Sequence, residues 1–308
     1  MRVAVLGGAG RVGSNAAYAL QIAGDVSEIL LTDVAKEQAE GEALDLRHGA
    51  SLSSAQKISH GDMREAAGCD VIIHCAGLRR KPDESRLDLI NRNLGLFRSL
   101  LEELSSAGWN KDAILLVVAN PVDILTHLAT ELCPLPKERI IGLGTLVDTA
   151  RFRSFIGEYF SLNQTRIEAL ILGEHGDSMV PMWSSAAVNG VPLTSLSGFT
   201  AKAAEEIFRN TQTSGADVIR LKGGAGYCVG LAISRLLQAI VRDQYSLLPI
   251  STLQRGTLGI EGVCLSLPTI VARRGVADVI EPAANEKERA ALMNSADTLK
   301  KTLSSLQT

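Results

Sequence analysis

The sequence predicts an α/β fold, a doubly wound parallel sheet followed by a mixed α+β second half, on three observations. Short, continuously apolar runs alternate with helix-like stretches as far as residue 143, and such runs suit strands buried on both faces. The first run ends in glycines that open a helix, and the second ends in an acid, which is the order of a dinucleotide-binding start. Beyond residue 143 the alternation stops. The expected division is residues 1–143 for nucleotide binding and 144–308 for substrate and catalysis.

Residues 2–6 form the first strand, which runs into Gly8-Ala9-Gly10-Arg11-Val12-Gly13. An alanine-rich helix follows over 14–23, stopped by Gly24. Gly8 permits the tight turn, Gly10 lets the backbone approach a pyrophosphate because it has no Cβ, and Gly13 lets the helix pack close to the strand. The helix N-terminus adds free N–H groups and partial positive charge. Taken alone, the six residues also fit a glycine turn that holds nothing. Asp33 argues against that, because it ends a second apolar run over 29–32, twenty residues after Gly13. There it can bond both ribose hydroxyls of an adenosine and repel the extra phosphate of NADP, so the expected cofactor is NAD. Its plainer role is to cap the helix beginning near residue 35.

That helix runs to His48 and is closed by Gly49. A weak strand over 56–60 and a strong one over 70–76 come next, then an arginine-bearing loop and a long helix over 85–106. A buried strand over 113–118 runs into Ala119-Asn120-Pro121, where Pro121 opens a helix to residue 132. Residues 139–142 make a last short strand. Gly8, Asp33, Gly77 and Asn120 all fall at carboxyl ends of strands, where ligands bind in such sheets.

In the second half a helix carries Asp148 and Arg151, and a strand over 166–172 runs into Gly173-Glu174-His175-Gly176-Asp177. A hairpin turns at Asn189-Gly190. Two or three helices lie between 201 and 242, and strands around 258–265. A final helix begins near Asn285, with Glu288 set for a capping box. Its stripe of Leu292, Ala296, Leu299, Leu303 and Leu306 reads as core.

Apolar residues make up 46% and charged residues 21% of the 308, with net charge −3. Those values are ordinary for a globular protein and give no argument for nucleic acid or a membrane surface. No apolar stretch approaches the roughly 20 residues of a membrane span, and a strand starting at residue 2 leaves no room for a signal peptide. The five cysteines are odd in number and form no Cys-x-x-Cys pair, so they are expected to stay reduced in the cytoplasm. The five histidines have no metal-site spacing.

Over essentially its full length the chain resembles the lactate/malate dehydrogenase family. The matching pieces are Gly-Ala-Gly-Arg-Val-Gly (8–13), Asp33, Ala-Gly-x-x-Arg-Lys-Pro (76–82), Ser-Arg (85–86), Asn-Pro-Val-Asp (120–123), Asp-Thr-Ala-Arg-Phe (148–152) and Gly-Glu-His-Gly-Asp-Ser (173–178). The resemblance implies a Rossmann domain, a mixed substrate domain, a homodimer or homotetramer, and reversible hydride transfer between NADH and a 2-oxo acid. It makes His175 the proton donor and acceptor, suited by a pKa near neutrality, and Asp148 the acid that orients it. It makes Arg151 the fork that grips the shared carboxylate, Asn120 a hydrogen-bond partner of substrate, and Arg86 a loop residue that polarises the carbonyl. Val118 and Ala119 would pass along the nicotinamide, and Asn93 would lie near the cofactor.

Substrate choice falls on Arg80. In the family a glutamine at this place goes with lactate and an arginine with malate. Oxaloacetate, a dicarboxylate, could pair with Arg80, whereas pyruvate would leave an enclosed guanidinium unpaired, at a cost of roughly 3–5 kcal/mol. The expected function is therefore malate dehydrogenase, with Ala225 adding room where lactate-type members carry threonine. The alternative is an L-lactate or broad 2-hydroxy acid dehydrogenase. In its favour, the segments 144–148 and 173–178 are lactate-like, and Pro82-Asp83 lacks the usual glycine after the proline. Two other classes are weaker. An NAD-dependent glycosidase would carry a cysteine before Asn120-Pro121, and a non-catalytic NAD sensor would have no use for a proton-transfer couple.

Overall fold

The computed structural model describes residues 1–78 and 83–306. β1 (Arg2–Leu6) leads through the glycine turn into α1 (Arg11–Ala23). This helix starts three residues before its alanine run, directly where Gly10 leaves extended backbone, and Gly24 ends it at φ 69°. β2 (Glu28–Thr32) and α2 (Lys36–Gly49) follow. Gly49 does not close α2: it keeps right-handed helical angles, and the chain tightens into a 3₁₀ turn as far as Leu52. After β3 (Lys57–His60) comes a helix the sequence reading missed, α3 (Met63–Ala67), opened by a capping box of Asp62 and Glu65. β4 (Val71–His74), α4 (Arg86–Ala107), β5 (Ile114–Val117), α5 (Val122–Leu132) and β6 (Ile140–Gly142) complete the first half. Ser85 caps α4 through a box with Asp88.

The second half begins with α6 (Leu146–Phe160). The single strand expected over 166–172 is in fact two, β7 (Ile167–Glu168) and β8 (Ile171–Leu172), because they pair in different sheets. β8 pairs with β9 (Val180–Pro181), and β7 with β10 (Ala187–Val188). β10 turns at Asn189-Gly190, both left-handed, into β11 (Val191–Pro192). Two helices follow, α7 (Ala201–Lys222) and α8 (Tyr227–Val241). The strands expected around 258–265 are displaced, since Leu258 sits in a left-handed turn between β12 (Ser246–Arg255) and β13 (Glu261–Ala272). Pro249 and Pro268 face each other in that pair and hide it from an apolar-run reading. β14 (Gly275–Val279) precedes α9 (Glu286–Ser305), which opens with the expected box of Asn285 and Glu288.

Nine strands form one sheet in the order β14-β13-β12-β6-β5-β4-β1-β2-β3. The run from β6 to β3 is parallel and doubly wound, while β12, β13 and β14 extend it antiparallel. The sheet therefore crosses the expected boundary near residue 143, with β12 of the second half hydrogen-bonded to β6 of the first. α4, α5 and α9 cover one face around Phe97, Leu115 and Leu292, and α1, α2 and α8 cover the other around Leu20, Leu31 and Leu236. A third core around Phe152, Ile156 and Ile171 lies under the small sheets. Among the described residues no helix is long and apolar enough to cross a membrane.

Candidate active site

Where strand order reverses, between β1 and β4, the turn after β1 is drawn tight. Gly7 and Gly8 N–H both donate to Thr32 O, at 2.8 and 3.1 Å, and Gly10 N–H donates back to Gly7 O at 3.0 Å. Gly13 packs so closely that a Cβ there would overlap the Gly7 carbonyl and lie 2.9 Å from Gly8 Cα. No side chain caps α1 at Gly10, so its leading N–H groups stay available to an anion, and Arg11 and Val12 form the first turn. Asp33 accepts from Ala9 N at 3.1 Å and from Ala35 N at 3.0 Å. It thus braces the glycine turn and steadies the residue ahead of α2 without capping that helix, with lone pairs to spare for a ribose. This cradle fits the pyrophosphate and adenosine ribose of a dinucleotide.

At the ends of β4 and β5 the chain runs past the same crevice. Val118 N and Ala119 N both donate to His74 O, which holds the 118–120 segment beside β4, and Asn120 ends exposed. Asn93 is buried. Its Oδ1 accepts from Leu78 N at 2.8 Å and its Nδ2 donates to Leu89 O at 3.0 Å, so its amide is engaged in fixing the loop after β4. Arg86 is the first residue of α4. Arg80 lies outside the described residues.

The second half supplies the proton chemistry. His175 Nδ1 is 2.5 Å from Asp148 Oδ2, and Arg151 Nη1 donates to Asp148 Oδ1 at 2.8 Å. The Asp148 side chain is 1% exposed and that of His175 23%, so the acid is sealed behind an imidazole that keeps some contact with solvent. Burial alone would raise the Asp148 carboxyl, but His175 and Arg151 outweigh it and hold the carboxyl below its usual range. Burial likewise disfavours the imidazolium, yet Asp148, helped by Asp123, raises the His175 pKa against burial and the repulsion of Arg151. The carboxylate beside Nδ1 keeps a proton there and leaves Nε2 for the crevice.

Three clamps that sequence reasoning missed bring these residues together. Thr145 Oγ1 donates to Ile171 O at 2.5 Å, and Ile171 N donates to Thr149 Oγ1 at 3.0 Å, so the first turns of α6 grip β8 four residues before His175. Gly144 crosses β12 and β13 so closely that a Cβ would sit 2.5 Å from Ser251 N, and Thr145 N donates to Ser266 Oγ at 3.0 Å. On the far side, Glu174 N donates to Ser295 Oγ of α9 at 2.8 Å, and Glu174 also binds Ser178. The threonines' spacing around Asp148 was a visible signal; the serines are too distant in sequence to have been one. Among the described residues no group of His, Cys, Asp and Glu is arranged to hold a metal ion.

Comparison with known proteins matches residues 1–142 to the lactate/malate dehydrogenase NAD-binding domain and residues 145–307 to the lactate/malate dehydrogenase α/β C-terminal domain. L-lactate dehydrogenase 1 of Clostridium acetobutylicum is 41% identical over 304 residues, covering 97% of this chain and 96% of the relative. L-lactate dehydrogenase of Acetivibrio thermocellus is 40% identical, covering 97% and 95%. Among solved structures, the ligand-bound minor L-lactate dehydrogenase of Enterococcus mundtii superposes with a TM-score of 0.95 at 32% identity, covering 99% of this chain and 98% of that one.

These similarities overturn the expectation of a malate dehydrogenase, since the curated relatives and the structural neighbour carry the lactate name. That expectation took Arg80 to be enclosed, since the penalty for an unpaired guanidinium holds only where water is withheld from it, and Arg80 lies outside the described residues.

Proposed function

The chain belongs to the lactate/malate dehydrogenase family, and on that premise we propose that it is an NAD-dependent 2-hydroxy acid dehydrogenase interconverting pyruvate and L-lactate. The observation that carries this reading is the couple of His175 and Asp148, tied at 2.5 Å at the carboxyl edge of the sheet with Arg151 on the same carboxylate. A protein that only binds NAD has no use for it.

NADH bound along the glycine turn supplies the hydride. Arg151 keeps guanidinium donors beyond the one on Asp148, and these grip the substrate carboxylate and fix the 2-oxo group. Protonated His175 donates from Nε2 to the carbonyl oxygen as it gains negative charge, and in the reverse direction accepts the hydroxyl proton. Asp148 steadies the imidazolium without itself becoming protonated. Asn120 hydrogen-bonds the substrate, and Arg86 polarises its carbonyl. Gly8, Ala9, Gly10, Arg11, Val12 and Gly13 hold the pyrophosphate, Asp33 the adenosine ribose, and Val118 flanks the nicotinamide while Asn93 steadies the loop beside it. Residues 1–143 thus serve the cofactor and 144–308 the proton transfer.

We also propose a homodimer or homotetramer. Tyr18 and Ile22 of α1 and Tyr227 and Leu231 of α8, on helices that pack together, are exposed apolar surface of the kind association covers. A cytoplasmic setting suits five free thiols.

The test follows NADH absorbance with pyruvate and, separately, oxaloacetate, for the wild type and His175→Asn. The expected result is a preference for pyruvate and loss of turnover in a variant that still binds NADH. Preferential use of oxaloacetate would remove the substrate reading, and near-normal turnover by the variant would remove His175 from its role.

A further inference from the structure

A second carboxylate, separate from Asp148, touches His175 through its backbone. Asp123, in the first turn of α5, is 3% exposed, and its Oδ2 accepts the His175 backbone N–H at 2.7 Å. Its Oδ1 is buried and accepts no hydrogen bond among the described residues. The Ser251 hydroxyl of β12 lies close, but outside hydrogen-bond geometry, and is itself without a partner there. Among the described residues the groups that face Asp123 are His175 and Glu174 from the loop after β8, Ser251 from β12 and the Cys264 thiol of β13. Of these only His175 can carry positive charge.

The two carboxylates therefore differ. The charge of Asp148 is balanced by Arg151, which donates to it at 2.8 Å. Among the described residues no arginine or lysine pairs with Asp123. A buried carboxylate in that position is costly unless a cation appears beside it. His175 becomes that cation when it takes up the proton it is to deliver. Burial first, tempered by Ser251 and the His175 N–H, pushes the Asp123 carboxyl up to about 6, in keeping with a charge that waits on the imidazole.

We propose that Asp123 is a positioning residue for His175, holding its backbone in place and setting a second negative charge against the imidazole. The proposal rests on the reading of His175 as the proton carrier. Asp123 supplies polarity from outside the couple, so the proton on His175 is retained to higher pH than Asp148 alone secures.

Asp123→Asn tests this, because the amide oxygen can still accept from His175 N–H while the charge is gone. The readout is the pH profile of kcat/KM for pyruvate reduction, whose alkaline limb reports loss of the His175 proton. The limb should move down by about 1 pH unit, the effect of removing one nearby opposite charge, with NADH binding by fluorescence unchanged. An unmoved limb would overturn the proposal, whatever the change in thermal stability, since a merely structural role alters stability and leaves the limb in place. If the Asn variant does not fold, Asp123→Ser, also neutral and able to accept from the same N–H, is read in the same way. A near-active His175→Asn variant would instead overturn the underlying reading, which keeps the two failures distinct.

Discussion

Replacing Asp148 by asparagine isolates the charge of the couple at almost constant volume. The carboxylate accepts two charge-assisted bonds, from His175 Nδ1 at 2.5 Å and from Arg151 Nη1 at 2.8 Å, with its side chain 1% exposed. Asparagine brings one oxygen to two donors. If the oxygen faces Arg151, the NH₂ group faces His175 and favours the tautomer protonated on Nε2 and bare on Nδ1. If it faces His175, the NH₂ group meets the guanidinium and Arg151 is displaced from its grip on substrate. Removing one partner of a buried ion pair costs about 3–5 kcal/mol. At about 1.4 kcal/mol per decade this is about a 10²- to 10⁴-fold loss, and it should fall on kcat because the imidazolium is needed in the proton-transfer step. NADH affinity should be retained, since Asp148 is remote from the glycine turn. Steady-state NADH oxidation with saturating pyruvate, beside a fluorescence titration of NADH, measures both. A kcat within about tenfold of wild type, with the alkaline limb of the profile unmoved, would refute the assignment of Asp148 as the group that sustains the imidazolium.

Gly13→Ala should weaken NADH binding and lower Tm, because the new Cβ overlaps the Gly7 carbonyl and presses on Gly8 Cα, and backbone cannot swing aside as a side chain can. Overpacking of this kind costs about 1–3 kcal/mol, or several degrees in Tm at about 2–4 °C per kcal/mol; unchanged Tm and NADH affinity would count against close packing at the turn. A second prediction concerns pH and stability. Asp123 and His175 both bind protons more tightly when folded, so the stability they contribute is fuller in acid and falls as pH rises through their folded values, whereas Asp148, held low, contributes above the ordinary carboxylate range and loses that only as pH falls through its depressed value. For Asp123 the rise from 3.8 to about 6 is worth about 3 kcal/mol. Denaturant unfolding at pH 5 and pH 8 should find Asp123→Asn gaining most over wild type at pH 8, and an equal gain at both values would mean that Asp123 is not charged in the fold.

How much was legible in the sequence follows from how far each signal reaches. The glycine turn, Asp33 and the capping box of Asn285 and Glu288 involve neighbours on one turn or adjoining strands, and each takes its expected place. β12 and β13 were hidden because their pairing depends on partners across the hairpin, with prolines at 249 and 268 and polar residues such as Ser251, Thr252 and Ser266 buried between apolar ones. The strand over 166–172 read as continuous because apolar pattern reports burial and not which sheet is joined.

The site shows the same division. His175, Asp148 and Arg151, which the structure brings together, were legible as candidates through the family motifs that hold them, and few residue types suit the roles proposed for them: an imidazole for the proton, a carboxylate to sustain it, a guanidinium for the substrate acid. The supports were not, because an unremarkable serine or threonine acquires meaning only from its partner. Ser295 reaches Glu174 and Ser266 reaches Thr145 across 121 residues in each case. Asp123 is the intermediate case. It stood in the Asn-Pro-Val-Asp motif with no role assigned to it, and only the fold turns it toward the His175 backbone. The error over Arg80 has the same origin in reverse. A charge was given the energetics of an enclosed site from its position in a motif alone, although a guanidinium discriminates between substrates only to the degree that its surroundings withhold water from it.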